Sequence, residues 1–188
     1  MEFLLMGMGL FVFGSMIFGV LIFNGLVGRK NEVQNTLSTV DVYLKKRYDL
    51  IPNLVSTVQG YVKHERTVLE EITRLRAQAM KGQDAAQKID LNNQLSRALA
   101  GLMVTVENYP ELKSSQNFMA LQVELVKLEE NLAAARRTYN AAATSLNNLV
   151  CMFPSNLIAG MANFKKVMWF EAPSEEKVNP SVKNLLAA

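Results

Sequence analysis

The first apolar stretch of the chain is long enough to cross a membrane. No charged side chain lies between Glu2 and Arg29, and the stretch from Phe3 to Gly28 is 26 residues long, reading FLLMGMGLFVFGSMIFGVLIFNGLVG. About 20 apolar residues suffice for an α-helix to cross a hydrocarbon core. A helix also satisfies its own backbone hydrogen bonds in lipid. We therefore predict a transmembrane anchor over residues 1–28.

A cleaved signal peptide is the alternative interpretation of this stretch. Such a peptide has a basic start, a shorter apolar run and a small-x-small cleavage site. Here the start is acidic at Glu2, the run is long and no A-x-A pattern follows, so a retained anchor is favoured. Arg29 and Lys30 follow the span directly. The positive-inside rule then predicts that the rest of the chain lies in the cytoplasm.

Apolar residues continue beyond the anchor at helical spacing. Leu26 lies seven residues before the first stripe, whose members are four, three and four residues apart: Val33, Leu37, Val40 and Leu44. This spacing predicts that the membrane helix runs on as one rod out of the bilayer. Asp49 suits the N-cap of a following helix and Pro52 suits its first turn. We therefore expect the chain either to turn here or to kink at Pro52.

Two further stripes predict a second and a third helix. The second helix is expected to end at Lys81-Gly82 with a left-handed glycine cap, and its stripe contains Leu54, Val58, Tyr61, Glu65, Val68, Ile72, Leu75 and Ala79. The third is expected to start at the capping box Asp84-x-x-Gln87 and to be closed by Pro110. Its stripe contains Leu91, Leu95, Ala98, Leu102 and Thr105.

The fourth stripe is the strongest helical signal in the chain. Its spacing alternates between three and four throughout, and it contains Phe118, Leu121, Leu125, Leu128, Leu132, Ala135, Tyr139, Ala142, Leu146, Leu149 and Phe153. Such heptads predict a long seam packed against neighbouring helices. A helix from Ser115 to Met152 would be roughly 57 Å long. Pro154 is expected to end it.

These patterns together predict an all-α protein. An N-terminal transmembrane helix is followed by a long antiparallel up-and-down four-helix bundle over residues 29–153. A short helix and connector are expected over residues 154–170, and a polar tail over residues 171–188. The short segment carries Leu157, Ile158, Met161 and Phe164. It suits either a fifth packing helix or a helix on the membrane surface, and we favour packing.

Composition and charge remove several classes of function. The chain has 20 Lys and Arg against 17 Asp and Glu and no dense basic block, so no nucleic-acid partner is expected. His64 is the single histidine, which excludes metal sites that need two, and no glycine-rich phosphate loop is present. We therefore expect no metal, no cofactor and no catalytic residue. A nucleophilic pair of Cys151 and His64 remains as the weaker enzymatic alternative.

Several polar residues fall on or beside the apolar stripes, where an unpaired charge would be costly. We interpret them as one structural polar cluster consisting of Arg47, Asp49, Glu65, Glu129, Arg136, Arg137, Tyr139 and Asn140. Glu65 interrupts the second stripe, and we expect it to pair with Arg136 or Arg137 and fix the register of the bundle. A solvated charge at a frayed part of the seam and a polar binding pocket between helices are the alternatives.

Three sequence blocks form a recognisable combination. The first is Arg47 to Val55, RYDLIPNLV, followed by Gly60-Tyr61 and His64-Glu65. The second is Leu128 to Asn131, LEEN, running into Ala135-Arg136-Arg137 and Tyr139-Asn140, and the third is Phe153 to Ala159, FPSNLIA. Together these blocks resemble the LemA family, and the resemblance spans roughly residues 20 to 171. It implies a bacterial inner-membrane protein with an up-and-down helical bundle outside the bilayer, and it implies no established reaction.

The pattern as a whole favours a structural or interaction protein. A helix anchored in the lipid bilayer would present the bundle to partner proteins or to copies of the same chain. The fourth helix has more heptads than the other helices can cover, which favours a homo-oligomer. An accessory or regulatory subunit of a membrane protease, kinase or transporter is the alternative. An enzyme in its own right is the least favoured interpretation, because no convergent acid, base and nucleophile set is visible.

Overall fold

The computed structural model describes residues 2–62, 65–82 and 85–170, without the side chains of residues 85 and 86. Throughout these residues the regular structure is helical, and none of it is strand. Within the described ranges six helices follow one another, and their bounds are α1 Glu2–Gln59, α2 Arg66–Lys81, α3 Ala85–Val106, α4 Pro110–Lys113, α5 Gln116–Cys151 and α6 Ser155–Met161. The predicted all-α class is confirmed, while the predicted polar tail lies outside the described residues.

Helix α1 joins the apolar segment to the water-facing part of the chain without interruption. It is 58 residues long, which corresponds to about 87 Å at 1.5 Å per residue. Residues 2–18 are exposed along their whole length, and α1 contains an apolar stretch long enough to cross a membrane. From Leu26 onwards one face is buried, so the predicted continuation of the rod beyond the anchor is confirmed.

One of the two expectations, a turn at Asp49, is wrong. Helix α1 continues through Pro52 and ends at Gln59, and Asp49 is an exposed residue inside the helix rather than an N-cap. The turn comes at Gly60-Tyr61, where the Tyr61 and Val62 amides both donate to the Val58 carbonyl. The stripe from Leu54 to Ala79 is therefore divided between α1 and α2 rather than forming one helix. Glycine favours this break because it is a poor helix former.

Two smaller expectations are also corrected. Gly82 follows the end of α2 as expected, but its φ of −56° is not left-handed. Pro110 does not close the third helix, because α3 has already ended at Val106 and Pro110 occupies the first position of α4. Proline is well tolerated there, because the N–H groups of the first turn have no acceptor within the helix and the missing N–H costs no helical hydrogen bond. The predicted capping residue Asp84 lies outside the described residues.

The chain divides into two compact units. The first comprises residues 2–43 and 130–169, which are the N-terminal part of α1, the C-terminal part of α5, α6 and the segment after it. The second comprises the described residues of 44–129 together with Phe170. Within the second unit α2 packs against α3, and the fully buried Leu112 anchors α4.

Most of the α5 seam is buried as its heptads predict, but Leu121 and Leu149 are only half-buried. Leu132, Ala135, Tyr139 and Leu146 are all buried. Phe153 is instead 80% exposed, because α5 ends at Cys151 and the chain turns before α6. The apolar surface at this turn is therefore not part of the buried core.

Candidate functional site

Arg47 is the most deeply buried charged group among the described residues of the second unit. Its side chain is 1% exposed, and its Nε lies 2.9 Å from Oε1 of Glu129, which is 38% exposed. Its Nη2 donates a hydrogen bond of 3.0 Å to the Ser96 hydroxyl. The guanidinium therefore ties α1 to α5 and α3. Ion pairs of this kind fix which helices pack together, because a buried charge without its partner is strongly destabilising.

Tyr48 extends this cluster through both its side chain and its backbone. Its hydroxyl donates to Oδ1 of the buried Asn92 at 2.9 Å, and the Asn92 amide donates to the Lys88 carbonyl at 2.8 Å. Arg76 Nε donates to the Tyr48 carbonyl at 2.7 Å. In a regular helix this carbonyl would accept from residue 52, which is a proline without an N–H. The α2 arginine thus replaces the missing donor, and α1 continues through Pro52.

A second polar group lies in the first unit, where α5 holds the extended segment after α6. We call residues 164–169 the strap. Asn147 pairs with the backbone of Val167 through both sides of its amide, its Nδ2 donating to the carbonyl and its Oδ1 accepting from the N–H, each at 2.9 Å. The Tyr139 hydroxyl donates to the Met168 carbonyl at 2.9 Å. Trp169 Nε1 donates to the Thr144 hydroxyl at 3.0 Å.

The environment of Tyr139 favours its neutral form. Burial raises the pKa of the Tyr139 phenol above its ordinary value of 10.0. The protonated hydroxyl is also the form that donates to the strap. Tyr139 therefore acts as a hydrogen-bond donor and not as an acid at physiological pH.

The residues of the predicted polar cluster are found in both units. Arg47 and Glu129 pair within the second unit, and Tyr139 holds the strap in the first. Asp49 is exposed on α1. Glu65 lies in the second unit, directly before α2, whereas Arg136, Arg137 and Asn140 belong to the α5 segment of the first. The predicted pairing of Glu65 with Arg136 or Arg137 stays a prediction.

Sequence reasoning missed Arg76, Ser96 and Asn92 as partners of the cluster, and Asn147 as the main support of the strap. For Arg76 a signal was present, since a proline inside a helical pattern leaves one carbonyl in need of a donor. For Asn147 the signal was an amide inside the apolar seam of α5, because a buried amide is expected to find hydrogen-bond partners. Which backbone it would bind could not be found from spacing.

The described residues hold no group of three His, Cys, Asp or Glu side chains placed to bind one metal ion. Cys151 is exposed at the end of α5, and His64 lies outside the described residues. The predicted nucleophilic pair is therefore not tested by the structure. The polar groups described above bind one another and the backbone, which is chemistry suited to fixing helix register.

The chain is similar to known proteins over most of its length. The family model described as LemA family matches residues 36–183. The protein named LemA from Metamycoplasma hominis is 28% identical over 163 residues, which cover 86% of this chain and 74% of that protein.

Two further relatives carry another name. The magnetosome protein MamQ 2 of Paramagnetospirillum magneticum is 23% identical, and MamQ of Magnetospirillum gryphiswaldense is 22% identical. Each match covers 79% of this chain and 64% of the relative, so the chain spans less than two thirds of their length. Since the family model matches well over half of the sequence, including the helices that carry both polar groups, this membrane-associated helical chain belongs to the LemA family.

Proposed function

We propose that this protein is a single-pass, membrane-anchored scaffold that assembles with copies of itself and has no catalytic activity. The observation that carries the proposal is an exposed apolar stripe on α5. Met119, Val123 and Val126 are each about half exposed and are spaced four and three residues apart. This spacing places them on one face of the helix, opposite the buried seam. A contiguous apolar face on the surface of a soluble region is typical of an interaction site.

The charges beside the stripe support a second copy of the chain as its partner. Lys127 borders the stripe, and Glu124 lies next to Lys127 on the same side of the helix. Both are exposed, and Glu130 follows the stripe in the sequence. Two α5 helices packed antiparallel about a twofold axis would place Glu124 of one copy beside Lys127 of the other. An apolar centre with a polar, charge-paired rim is the ordinary anatomy of such an interface.

The anchor and the buried polar groups fit the same role. A continuous α1 would present the bundle at a fixed distance from the bilayer, because no flexible linker separates the two. We expect α1, α2, α3 and α5 to form the antiparallel up-and-down bundle, and we expect this bundle in the cytoplasm. Arg29 and Lys30 on one side of the span support that orientation through the positive-inside rule.

The test is the mass of the full chain in mild detergent. We expect a dimer or a larger even-numbered assembly, reduced to a monomer by Val123→Asp. The matched control is Val104→Asp on α3, an exposed apolar residue that belongs to no such stripe, and it should leave the mass unchanged. Glu124→Lys alone should weaken the assembly, and Glu124→Lys with Lys127→Glu should restore it. A monomer in the unsubstituted chain would overturn self-assembly.

Orientation and the absence of catalysis need separate measurements. Protease treatment of inverted membrane vesicles should remove the bundle, while treatment of intact spheroplasts should not.

His64→Ala and Cys151→Ser should each leave the cellular phenotype of the protein intact. Loss of that phenotype in either variant, with normal protein levels, would support an enzyme instead.

An accessory subunit of a membrane protease, kinase or transporter is the second candidate. The relatives named as magnetosome proteins show that chains similar to this one are associated with a specialised structure, which suits either role. Purification from native membranes distinguishes the two. One defined partner recovered in fixed ratio, and lost when the residues after Trp169 are deleted, would support the accessory role.

A further inference from the structure

The end of α5 and helix α6 carry an apolar surface that the bundle does not cover. Met152, Phe153, Leu157 and Met161 are 62%, 80%, 59% and 89% exposed. The sequence from residue 138 to residue 164 contains no Asp, Glu, Lys or Arg, so this surface has no charged rim of its own. Large exposed apolar patches are rare on water-facing protein surfaces. The surface therefore needs an apolar environment.

This surface lies beside the membrane anchor, in the same unit. A Cβ placed on Gly19 would lie 3.8 Å from the Ile158 Cδ1 atom. The Phe164 ring meets the Phe23 ring edge to face, with centroids 6.1 Å apart. Between the two helices runs a groove of about 400 Å³, lined by Met16, Gly19, Val20, Phe23, Ile158, Met161 and Ala162. Every side chain in this lining is apolar, and the groove is open to the outside.

The length of the bare anchor places α6 within the bilayer. Residues 3–18 of α1 are all exposed, and residue 19 is the first with partial cover. Sixteen residues of helix span about 24 Å, whereas the hydrocarbon core is about 30 Å thick. About four more residues are needed, which brings residues 19–22 into the core. Ile158 lies against the first of these residues, so α6 is at a depth where lipid surrounds the anchor.

Basic and aromatic side chains follow α6, where we expect the chain to pass from the hydrocarbon core to the water interface. Asn163, two residues after α6, has a φ of 56°. The Phe164 N–H donates to the Ala159 carbonyl, so α6 is closed by a Schellman cap. Lys30 Nζ lies 5.8 Å from the centroid of the Phe164 ring. Lys165 and Lys166 follow, and Trp169 comes soon after. Lysine and tryptophan are typical of the interface between hydrocarbon and water.

We infer that the α5–α6 turn and α6 form a second membrane-inserted element, which we call the wedge. The wedge comprises residues 152–161 and contacts lipid acyl chains in the leaflet from which α1 emerges. Lipid is the occupant because the wedge surface is continuous with the bare face of the anchor at the same depth. Helix α6 is too short to span the bilayer, so the wedge occupies one leaflet only.

Tryptophan fluorescence in lipid vesicles tests this inference directly. Trp169 is the single tryptophan of the chain, so Trp169→Phe provides a silent background. In that background, Phe153→Trp and Leu157→Trp report on the wedge. Val42→Trp is the matched control, because Val42 is also about half exposed and lies on α1 about 20 Å beyond Arg29. The full chain is reconstituted into vesicles of phosphatidylethanolamine and phosphatidylglycerol with brominated acyl chains.

We expect bromine to quench both wedge tryptophans several-fold more strongly than the Val42→Trp control. Equal quenching at Phe153→Trp and Val42→Trp would overturn the inference. Weak quenching by bromine combined with protection from aqueous acrylamide would also overturn it, because a second protein copy and not lipid would then cover the wedge. Circular dichroism of each variant should match that of the unsubstituted chain.

The unsubstituted chain supplies a second measurement that does not depend on a new tryptophan. Cys151 is the single cysteine and adjoins the wedge. A charged maleimide should modify Cys151 slowly in vesicles and rapidly after the bilayer is dissolved in denaturing detergent. The control is Val42→Cys in a Cys151→Ser background, which should react rapidly in both conditions. Rapid labelling of Cys151 in intact vesicles would contradict the inference.

Discussion

Arg76 donates a hydrogen bond of 2.7 Å to the carbonyl of Tyr48. This carbonyl lacks its usual helical donor, because residue 52 is a proline without an N–H. A proline in the interior of a helix ordinarily bends or breaks it, partly because the carbonyl four residues earlier loses its donor. Here a side chain from α2 supplies that donor. The relationship links the continuity of α1 to the packing of the helix that follows it.

Arg76→Met is expected to destabilise the protein by about 1.5–3 kcal/mol, the usual range for a hydrogen bond from a charged donor. The cost should be smaller when Pro52→Ala is also present, because the alanine would provide the backbone N–H that the Tyr48 carbonyl lacks. The measurement is a double-mutant cycle by chemical unfolding of the full chain in detergent. Strictly additive costs would show that Arg76 does not compensate for Pro52.

Removing Glu129 and removing Arg47 are expected to lower the free energy of unfolding by different amounts. Glu129→Ala removes the carboxylate that pairs with the Arg47 guanidinium, which is 1% exposed. We expect this change to lower the free energy of unfolding by about 3 kcal/mol. Arg47→Met should cost less, because it fills similar volume and leaves a carboxylate that water can reach. The control is Glu130→Ala at the neighbouring exposed position, which should change the free energy of unfolding by less than about 0.5 kcal/mol. The reverse order of costs would contradict this account.

Asn147 is expected to control whether the strap stays bound to α5. Asn147→Asp keeps an acceptor for the Val167 N–H but places an oxygen against the Val167 carbonyl, so the strap should detach. Trp169 lies in the strap, and its emission should shift to longer wavelength as the indole enters water. Asn148→Ala, at the adjacent exposed position, is the control and should leave the emission unchanged. An unchanged spectrum in Asn147→Asp would show that the strap does not depend on this amide.

Tyr139 is expected to make the strap sensitive to alkaline pH. Burial raises the pKa of the phenol, so the folded chain favours the neutral form and binds this proton more tightly than the unfolded chain. The resulting contribution to stability is fully present below the ordinary pKa of 10.0 and is lost as the pH rises through the raised value.

The readout is the emission of Trp169 followed from neutral to strongly alkaline pH. The unsubstituted chain should show a transition that Tyr139→Phe lacks, because phenylalanine has no proton to lose. A transition of the same midpoint and amplitude in Tyr139→Phe would assign it to another group.

The repeating spacing of apolar residues was sufficient to predict the apolar N-terminal helix, its continuation as one rod and α5 from Ser115 to Met152, which is correct within one residue at each end. Periodicity is a local property, because side chains three and four residues apart share a helix face whatever the rest of the chain does. For the same reason it failed at Gly60-Tyr61, where α1 has ended and the chain turns. The stripe from Leu54 to Ala79 keeps its period across a turn, and a period alone cannot reveal that the backbone has broken.

The sequence by itself determined that this chain is helical, begins with an apolar helix long enough to cross a membrane and carries arginines close to its core. Only the tertiary structure decided which partners those polar groups take, since Arg47 meets Ser96 and Glu129 from distant segments, and Asn147 meets the backbone of Val167. Such pairs depend on the rotation and relative height of packed helices. Those quantities are set by the summed packing of many side chains, and the spacing within any one stripe does not contain them.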